Sequence, residues 1–208
     1  VTENQFVNLS RAPGNYTAAY RPLVEYAKEN RIRVVASNAP RRYVSLARRV
    51  GRQNITDSLL PGALRLLPPL PYSPASEPYA SKFQNVMRGL RSEPSYTASQ
   101  GMLDAQSLWD AGMAYSIASI FTESATDSSS LKPFVFHVSG SFHVESNLGI
   151  HEHLSVYMPS LNRVTVVISP CEKTAPSSSK DAVQDLAFIA AKHGNLGDFV
   201  VVTPAPDT

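Results

Sequence analysis

The chain alternates short apolar runs with segments of helical periodicity, and this alternation limits the fold more than any other feature. Strand-like runs rich in β-branched and aromatic residues occur at 31–37, 133–138, 163–168 and 197–203. Strands that alternate with helices are typical of a parallel sheet, because each helix carries the chain back to the start of the next strand. We therefore predict an α/β fold, a mostly parallel sheet with helices on both faces. Four strands make a thin sheet for a chain of 208 residues.

Apolar residues that recur at i, i+3, i+4 and i+7 predict the helices. The predicted segments are 15–30, 41–52, 79–90, 102–121, 150–158 and 181–193. The helix 102–121 is the longest, and small residues such as Gly112 and Ala114 favour its close packing against other elements. Residues 67–74 include four prolines, so neither a helix nor a central strand is expected there.

Composition and charge exclude several classes of protein. Hydrophobic residues make up 43% and charged residues 17%, which is typical of a globular chain rather than a disordered one. The net charge of +2 is too balanced for electrostatic binding of nucleic acid. The one cysteine, Cys171, excludes an intrachain disulfide and a multi-cysteine metal site. No apolar run approaches the roughly 20 residues of a membrane span, and the first residues lack the pattern of a signal peptide.

Four of the five histidines lie close together, from the end of the predicted strand 133–138 onward. Loops after the carboxyl ends of parallel strands are where open α/β sheets bind ligands. His143 and Glu145 lie two residues apart in this loop and are candidate ligands of one ion. The spacing of these residues is not that of the zinc-protease motif. Of the other three histidines, His137 is interpreted as a core residue, and His151 and His153 are interpreted as solvated residues.

A second polar group follows the predicted strand 31–37. Asn38 lies at the junction with the next helix, and Arg41 begins that helix. A helix N-terminus offers free N–H groups and the positive end of the helix dipole, which favour a carboxylate or a phosphate. A haem propionate is one such group. The alternative is that Asn38 only caps the helix and that the arginines are solvated or paired with acidic residues.

A third polar group lies on the longest predicted helix. Gln106 and Asp110 are four residues apart and therefore lie on the same face of that helix. They are candidates to line a polar pocket or to hold the strand-end loops by hydrogen bonds. Trp109 is interpreted as a core residue. Tyrosine can ligate ferric haem iron, but the sequence does not choose among the nine tyrosines.

Several motifs, taken in order, are similar to those of one known family. They are Pro13-Gly14-Asn15-Tyr16, Tyr20-Arg21-Pro22-Leu23, Asn38-Ala39-Pro40-Arg41-Arg42-Tyr43, Leu67-Pro68-Pro69-Leu70-Pro71-Tyr72, Ala105-Gln106-Ser107-Leu108-Trp109-Asp110 and His137-Val138-Ser139-Gly140-Ser141-Phe142-His143-Val144-Glu145. Over about residues 14–169 the chain resembles the ChaN-like haem-binding family of the erythromycin-esterase/Tiki-like superfamily. The resemblance implies an α/β fold and, in bacteria, an iron-regulated lipoprotein that binds haem through tyrosine in a dimer. Similar domains occur in plastid proteins of plants and algae.

The sequence departs from the family pattern at its beginning. Members of the family start with a strand that ends in Gly-Glu-x-His, which has no counterpart here. We therefore expect the chain to begin inside the domain and the sheet to lack one edge. His143 and Glu145 match the second half of the family's polar site, whereas no motif gives the position of the haem-ligating tyrosine. The predicted organisation is a single ChaN-like domain over residues 1–208, with a C-terminal helix and strand in 170–208.

The resemblance and the polar residues together favour a protein that binds haem or a divalent metal ion over an enzyme. The expected site lies at the carboxyl ends of the strands and is lined by His143, Glu145, Asn38, Arg41 and Gln106. His143 and Glu145 are the expected ligands if the occupant is a metal ion. The first alternative is a non-catalytic accessory subunit of a larger complex, for example at a plastid membrane. The second alternative, by analogy with the superfamily alone, is a metal-dependent hydrolase.

The expected partner is a second copy of the chain or a larger complex that supplies the missing sheet edge, because an unpaired edge is a docking surface. Nucleic acid is not expected as a partner. Association with a membrane would need another segment or a partner, and the expected compartment is a plastid or the bacterial cell envelope.

Overall fold

The computed structural model describes residues 2–10, 12, 14–89, 96–126, 132–171 and 194–204. The α-helices in these ranges are α1 (Glu3–Ser10), α2 (Arg21–Glu29), α3 (Arg41–Val50), α4 (Glu77–Gly89), α5 (Tyr96–Thr126) and α6 (Ile150–Tyr157). The strands are β1 (Val166–Cys171) and β2 (Phe199–Pro204). A π-helix covers Tyr16–Tyr20, and short 3-10 helices cover Thr56–Ser58, Pro61–Leu66, Ser141–His143 and Glu145–Asn147. The chain divides into two compact units, Val1–Ala36 and Ser37–Thr208.

The first unit is small and helical. The predicted helix 15–30 is confirmed, but it starts as the π-helical turn and continues as α2. Pro22 lies in the first turn of α2, where the helix does not need its backbone N–H. Arg21 Nε lies 2.7 Å from Glu3 Oε1, so this ion pair joins α1 to the start of α2.

In the second unit, α5 is the element around which the others pack. The helices α3 and α6 both lie along it. The predicted helix 102–121 is confirmed and extends by several residues at each end. The core beside α3 is formed by Ala39, Val44, Ala47, Ile55, Leu67, Tyr72, Ala105, Leu108 and Ala111. The core beside α6 is formed by Met113, Ala114, Ile117, Ile150 and Leu154.

Small residues on α5 allow the chain to approach it closely. A Cβ atom on Gly112 would lie 3.1 Å from the Cβ atom of Ala39, which confirms the prediction that Gly112 serves close packing. The proline-rich stretch also lies on α5, because the hydroxyl of Tyr72 donates to Asp104 O at 2.7 Å. As predicted, residues 67–74 form neither a helix nor a strand. The peptide bond before Pro71 in this stretch is cis.

The two strands are parallel neighbours, with Val166 opposite Phe199. The strands predicted at 163–168 and 197–203 are confirmed with shifted ends. One face of the pair is buried, since Val167 is 2% exposed. The other face carries a row of exposed apolar side chains, which are Val166, Ile168, Phe199 and Val201, and the exposed Val164 precedes β1. The fold is thus a mixture of helices and a small parallel sheet, consistent with the α/β class.

Two of the four predicted strands are wrong for the described part of the chain. Residues 31–37 and 133–138 are not assigned as strands, and the described sheet has two strands rather than four. Along 133–138 the exposure still alternates, with Phe134 91% and Phe136 78% exposed and Val135 packed against the core. This period of two is a local property of the sequence, but a strand also needs a neighbour that supplies the ladder hydrogen bonds. The described residues therefore do not show a sheet with helices on both faces.

The remaining predicted helices have mixed outcomes. Those at 41–52, 79–90 and 150–158 are confirmed, with ends shifted by one or two residues. The helix predicted at 181–193 lies outside the described residues. The single domain over residues 1–208 stays a prediction. In the ranges that the structure describes, no helix is both long enough and apolar enough to cross a membrane.

The contact between α3 and α5 gives a testable prediction. A Cβ atom on Gly101 of α5 would lie 2.3 Å from Arg48 O of α3, so Gly101→Ala requires the two helices to separate. We expect this variant to lower the free energy of unfolding by about 1–3 kcal/mol, as overpacking usually does. Gly89→Ala is the matched control, because Gly89 ends α4 and no atom lies within 4 Å of the added Cβ. Urea unfolding measures both variants, and equal stabilities would contradict the close approach.

Candidate functional site

Side chains from three elements meet at the carboxyl group of Asp110, on α5. Asp110 is 0% exposed. The hydroxyl of Tyr79, on α4, donates to Oδ2 of Asp110. On the other side, Nδ1 of His143 lies 2.5 Å from Oδ1. Both carboxyl oxygens therefore have a partner, which is the condition for burying such a group without a large loss of stability.

Gln106 lies one turn before Asp110 on α5, and its side chain contacts the same imidazole. Its Nε2 atom is 3.3 Å from Nδ1 and 3.5 Å from Nε2 of His143, so the amide lies against the ring. His143 itself ends the 3-10 helix Ser141–His143. The interpretation that Gln106 and Asp110 share a polar face of one helix is confirmed, since both contact this histidine.

Gly149, which precedes α6, borders the site. Its φ of 61° lies in the left-handed region that favours glycine. A Cβ atom there would lie 3.0 Å from Asp110 Oδ2 and 2.5 Å from His143 O. The chain passes this close to Asp110 because residue 149 has no side chain. A cavity of about 80 Å³ adjoins the site and is lined by Ser73, Pro74, Ala75, Tyr79, Ser107, Asp110, Gly149, Glu152, His153 and Val156.

The side chain of Glu145 faces Lys82 of α4. The Nζ atom of Lys82 lies 3.4 Å from Glu145 Oε2 and donates to Phe142 O at 2.7 Å. Burial lowers the pKa of Lys82, and the carboxylate of Glu145 opposes that effect. Among the described residues, no group of three or more His, Cys, Asp or Glu side chains is arranged to hold a metal ion. The described contact of the Glu145 carboxylate is thus with the ammonium group of Lys82, and a metal ion shared with His143 stays a prediction.

Of the other histidines of this region, His151 and His153 are less exposed than the sequence suggests, whereas His137, interpreted as a core residue, is half-buried. In the part of the chain that the structure describes, His137 Nε2 and His153 Nδ1 are buried without a hydrogen-bond partner. Burial lowers the pKa of His137, His151 and His153, and the nearby His143 lowers that of His137 further. The interpretation of His151 and His153 as solvated is wrong. His153 is 4% exposed because it lies on the core-facing side of α6, and His151 is half-buried.

Asn38 and Arg41 are both exposed. Within the described ranges the side-chain hydrogen bonds of His143 go to α5, so the structure does not bring Asn38 or Arg41 into contact with the imidazole. Asn38 does not cap α3 either, since Pro40 precedes that helix and no side chain caps it. Of the predicted site residues, the structure therefore brings together His143 and Gln106.

Two residues that contact this site were missed by sequence reasoning. Tyr79 and Lys82 are three residues apart on α4, which places them on the same helix face. Tyr79 reaches Asp110, and Lys82 reaches the turn that carries His143. The i, i+3 spacing of a phenol and an amine was the available signal. It was weak, because a tyrosine on a helix stripe is explained equally well by core packing.

The buried His153 imidazole predicts how stability depends on pH. Burial lowers its pKa in the folded protein, although Asp110 and Glu152 oppose the shift. In the unfolded chain the pKa of His153 is about 6.5. The unfolded state therefore binds the proton first as the pH falls. The contribution of His153 to stability is therefore constant above that pH and decreases below it.

We expect His153→Phe to lose less stability than the wild type between about pH 7 and pH 5, because the variant has no group to protonate there. Urea unfolding at the two pH values is the measurement. The same loss of stability in both proteins would contradict the burial of a neutral imidazole at this position.

Comparison with known families places the chain in a wider group. The sequence model described as haem-binding uptake, Tiki superfamily, ChaN matches residues 1–154. Comparisons with curated proteins and with solved structures gave no match. The resemblance predicted from the motifs is confirmed, although the matched range begins and ends earlier than the predicted 14–169. Because the match covers most of the chain, this protein belongs to the ChaN family of haem-binding proteins in the Tiki superfamily.

Proposed function

We propose that this protein binds haem and that His143 is the ligand of the haem iron. The observation that carries the proposal is the 2.5 Å contact between His143 Nδ1 and the buried carboxyl group of Asp110, in a chain whose family is haem-binding. When Nδ1 carries the proton and donates it to Asp110, the lone pair of Nε2 can bind a metal once the Gln106 amide nitrogen, 3.5 Å away, turns aside. A carboxylate partner of this kind orients a ligating imidazole and raises its basicity.

The surroundings of His143 fit this role. The His143 side chain is 20% exposed, whereas that of Asp110 is 1% exposed, so the imidazole is the accessible member of the pair. Tyr79 donates to the second oxygen of Asp110, which keeps the carboxyl group from turning away. When bound, the haem iron supplies a Lewis-acid and redox centre. The residues of the chain orient the imidazole and hold its Nδ1 proton.

Tyrosine is the ligand that the family resemblance implies, and three tyrosines of the second unit are poorly suited to that role. Burial raises the pKa of Tyr72 and Tyr79, and it raises that of Tyr157 to about 12. The hydroxyls of Tyr72 and Tyr79 already donate to oxygen atoms of α5. Ligation of ferric iron uses the phenolate, which a raised pKa disfavours. These observations support His143 over the three tyrosines.

The other predicted site residues have separate roles in the proposal. Arg41 is the first residue of α3, where free N–H groups and the positive end of the helix dipole favour an anion. Arg41 and Asn38 are therefore proposed to contact the haem propionates. Gln106 supports the imidazole by lying against its ring. Glu145 is proposed to hold Lys82, with which it forms an ion pair, rather than to bind a metal ion.

Titration with ferric haem tests the proposal. We expect the wild type to shift the Soret band and His143→Ala to lose most of the affinity. Asp110→Asn should weaken binding by about 10–100-fold, the usual effect of removing the partner of a ligating histidine. His151→Gln is the matched control, because that imidazole hydrogen-bonds to Thr165 instead. Identical spectra and affinities for the wild type and His143→Ala would refute the assignment.

A specific observation also favours the accessory-subunit alternative. Phe134, Phe136 and Val138 are 91%, 78% and 53% exposed, along a segment that has no strand partner among the described residues. Single exposed apolar residues are normal, but a row of them is typical of an interaction surface. We therefore propose, as a second function, that the protein is a subunit of a larger assembly. This role is compatible with haem binding. No group of potential ligands in the described residues favours the hydrolase alternative.

Photo-crosslinking in cells that make the protein tests the second proposal. A photoreactive phenylalanine in place of Phe136 is expected to give a cross-link to one partner polypeptide, or to a second copy of the chain. The same group in place of Leu60, a side chain that is 80% exposed, is the control and should give little product. Equal cross-linking yields at the two positions would argue against an interface at residue 136.

A further inference from the structure

The geometry points to Lys82 as a positioning residue, whose ammonium group holds the turn that carries His143 so that the imidazole meets Asp110. The Lys82 side chain is largely buried, with 17% of it exposed. The consequence for haem binding rests on the proposed function, whereas the contacts of Lys82 are independent of haem. Neither the family match nor the sequence motifs assign this residue a role.

Three acceptors surround Nζ of Lys82. It lies 2.7 Å from Phe142 O, 3.3 Å from Glu145 O and 3.4 Å from Glu145 Oε2. An ammonium group has three N–H donors, so these acceptors use its whole capacity. Two of them are backbone carbonyls, one immediately before His143 and one two residues after it. Lys82 therefore joins the two 3-10 helices on either side of Val144.

The turn depends on such contacts because its backbone is strained. Ser146 has a φ angle of 61°, in the left-handed region that residues other than glycine, asparagine and aspartate rarely adopt, and Asn147 follows it at 58°. Strained backbone persists where the surrounding structure holds it in place. One connection is Ser146 N, which donates to Leu196 O at 2.8 Å. The hydrogen bonds from Lys82 are a second connection, nearer to His143.

One face of α4 forms hydrogen bonds both to Asp110 and to the turn that carries His143. Tyr79 donates to Asp110, and Lys82, one turn later, donates to the turn of His143. Phe142 packs between them, with its ring centroid 5.5 Å from that of Tyr79 and 4.5 Å from Lys82 Nζ. Tyr79 and Lys82 lie on the same rigid helix, and they hold Asp110 and the turn of His143 respectively. The distance between Asp110 and His143 therefore depends on α4 as well as on the turn.

The test uses the haem-free protein first. Lys82→Met keeps the length of the side chain but removes its donors, and Lys82→Gln is a second, milder variant. In both we expect the ¹⁵N NMR signals of the His143 imidazole to lose the Nδ1–H tautomer signature. We also expect faster amide hydrogen exchange at Val144 and Ser146. Lys82→Arg, which retains the charge and the donors, should recover most of the wild-type behaviour.

Haem binding is measured in the same variants. We expect Lys82→Met to bind haem about tenfold more weakly, the lower end of the effect of losing an outer partner of a ligating histidine. Lys28→Met is the matched control for loss of a positive charge, since Lys28 is exposed and pairs with Glu25 within α2. We expect this control to match the wild type.

The outcomes separate this inference from the proposed function. An unchanged imidazole signal and unchanged exchange in Lys82→Met, or in Lys82→Gln if the first variant does not fold, would overturn the positioning role. If the wild type does not bind haem but these variants alter the imidazole signal, the proposed function fails and the positioning role stands.

Discussion

The buried carboxyl group of Asp110 is the constraint on which the surrounding structure depends. It is fully buried, and leaving a buried acceptor without its hydrogen-bond partner typically costs about 1–3 kcal/mol. The fold must therefore place a hydrogen-bond partner next to each carboxyl oxygen of Asp110. The helix α4 delivers the hydroxyl of Tyr79, and the turn after residue 140 delivers the imidazole of His143. The helix α4 and this turn therefore both meet α5 at Asp110, in addition to the apolar packing that joins α5 to α3 and α6.

The contact that satisfies Asp110 is also the one that orients His143 in the proposed haem site. Stability and function are therefore coupled at this position. A change at Asp110 or Tyr79 alters the free-energy cost of burying the carboxyl group. It also alters the direction in which the imidazole of His143 presents Nε2. Gly149 belongs to the same arrangement, because a Cβ atom there would collide with His143 O at 2.5 Å and crowd the Asp110 carboxyl group at 3.0 Å. A site built in this way has little freedom to move, which favours an oriented ligand over an adaptable one.

The sequence predicted the helices well and the sheet poorly, for a physical reason. Helical periodicity reports local hydrogen bonds and one buried face, and α5 follows from its own residues. Strand periodicity reports only the conformation of one segment. Residues 133–138 keep the alternation of exposure but have no ladder in the described part of the chain. The same limit applies to Glu145, because its position two residues after His143 does not reveal its contact with Lys82 of α4.

The sequence by itself determined the helical segments, the proline-rich stretch, the family, and the loop that holds the candidate histidine. Each of these depends on residues that are close in the chain or on motifs taken in order. Only the tertiary structure decided which polar side chains meet. Tyr79 and His143 reach Asp110 from 31 and 33 positions away, and Lys82 reaches Phe142 from 60 positions away. Such contacts arise when helix faces pack and loops close over them, and no local pattern specifies which donor arrives at which carboxyl oxygen.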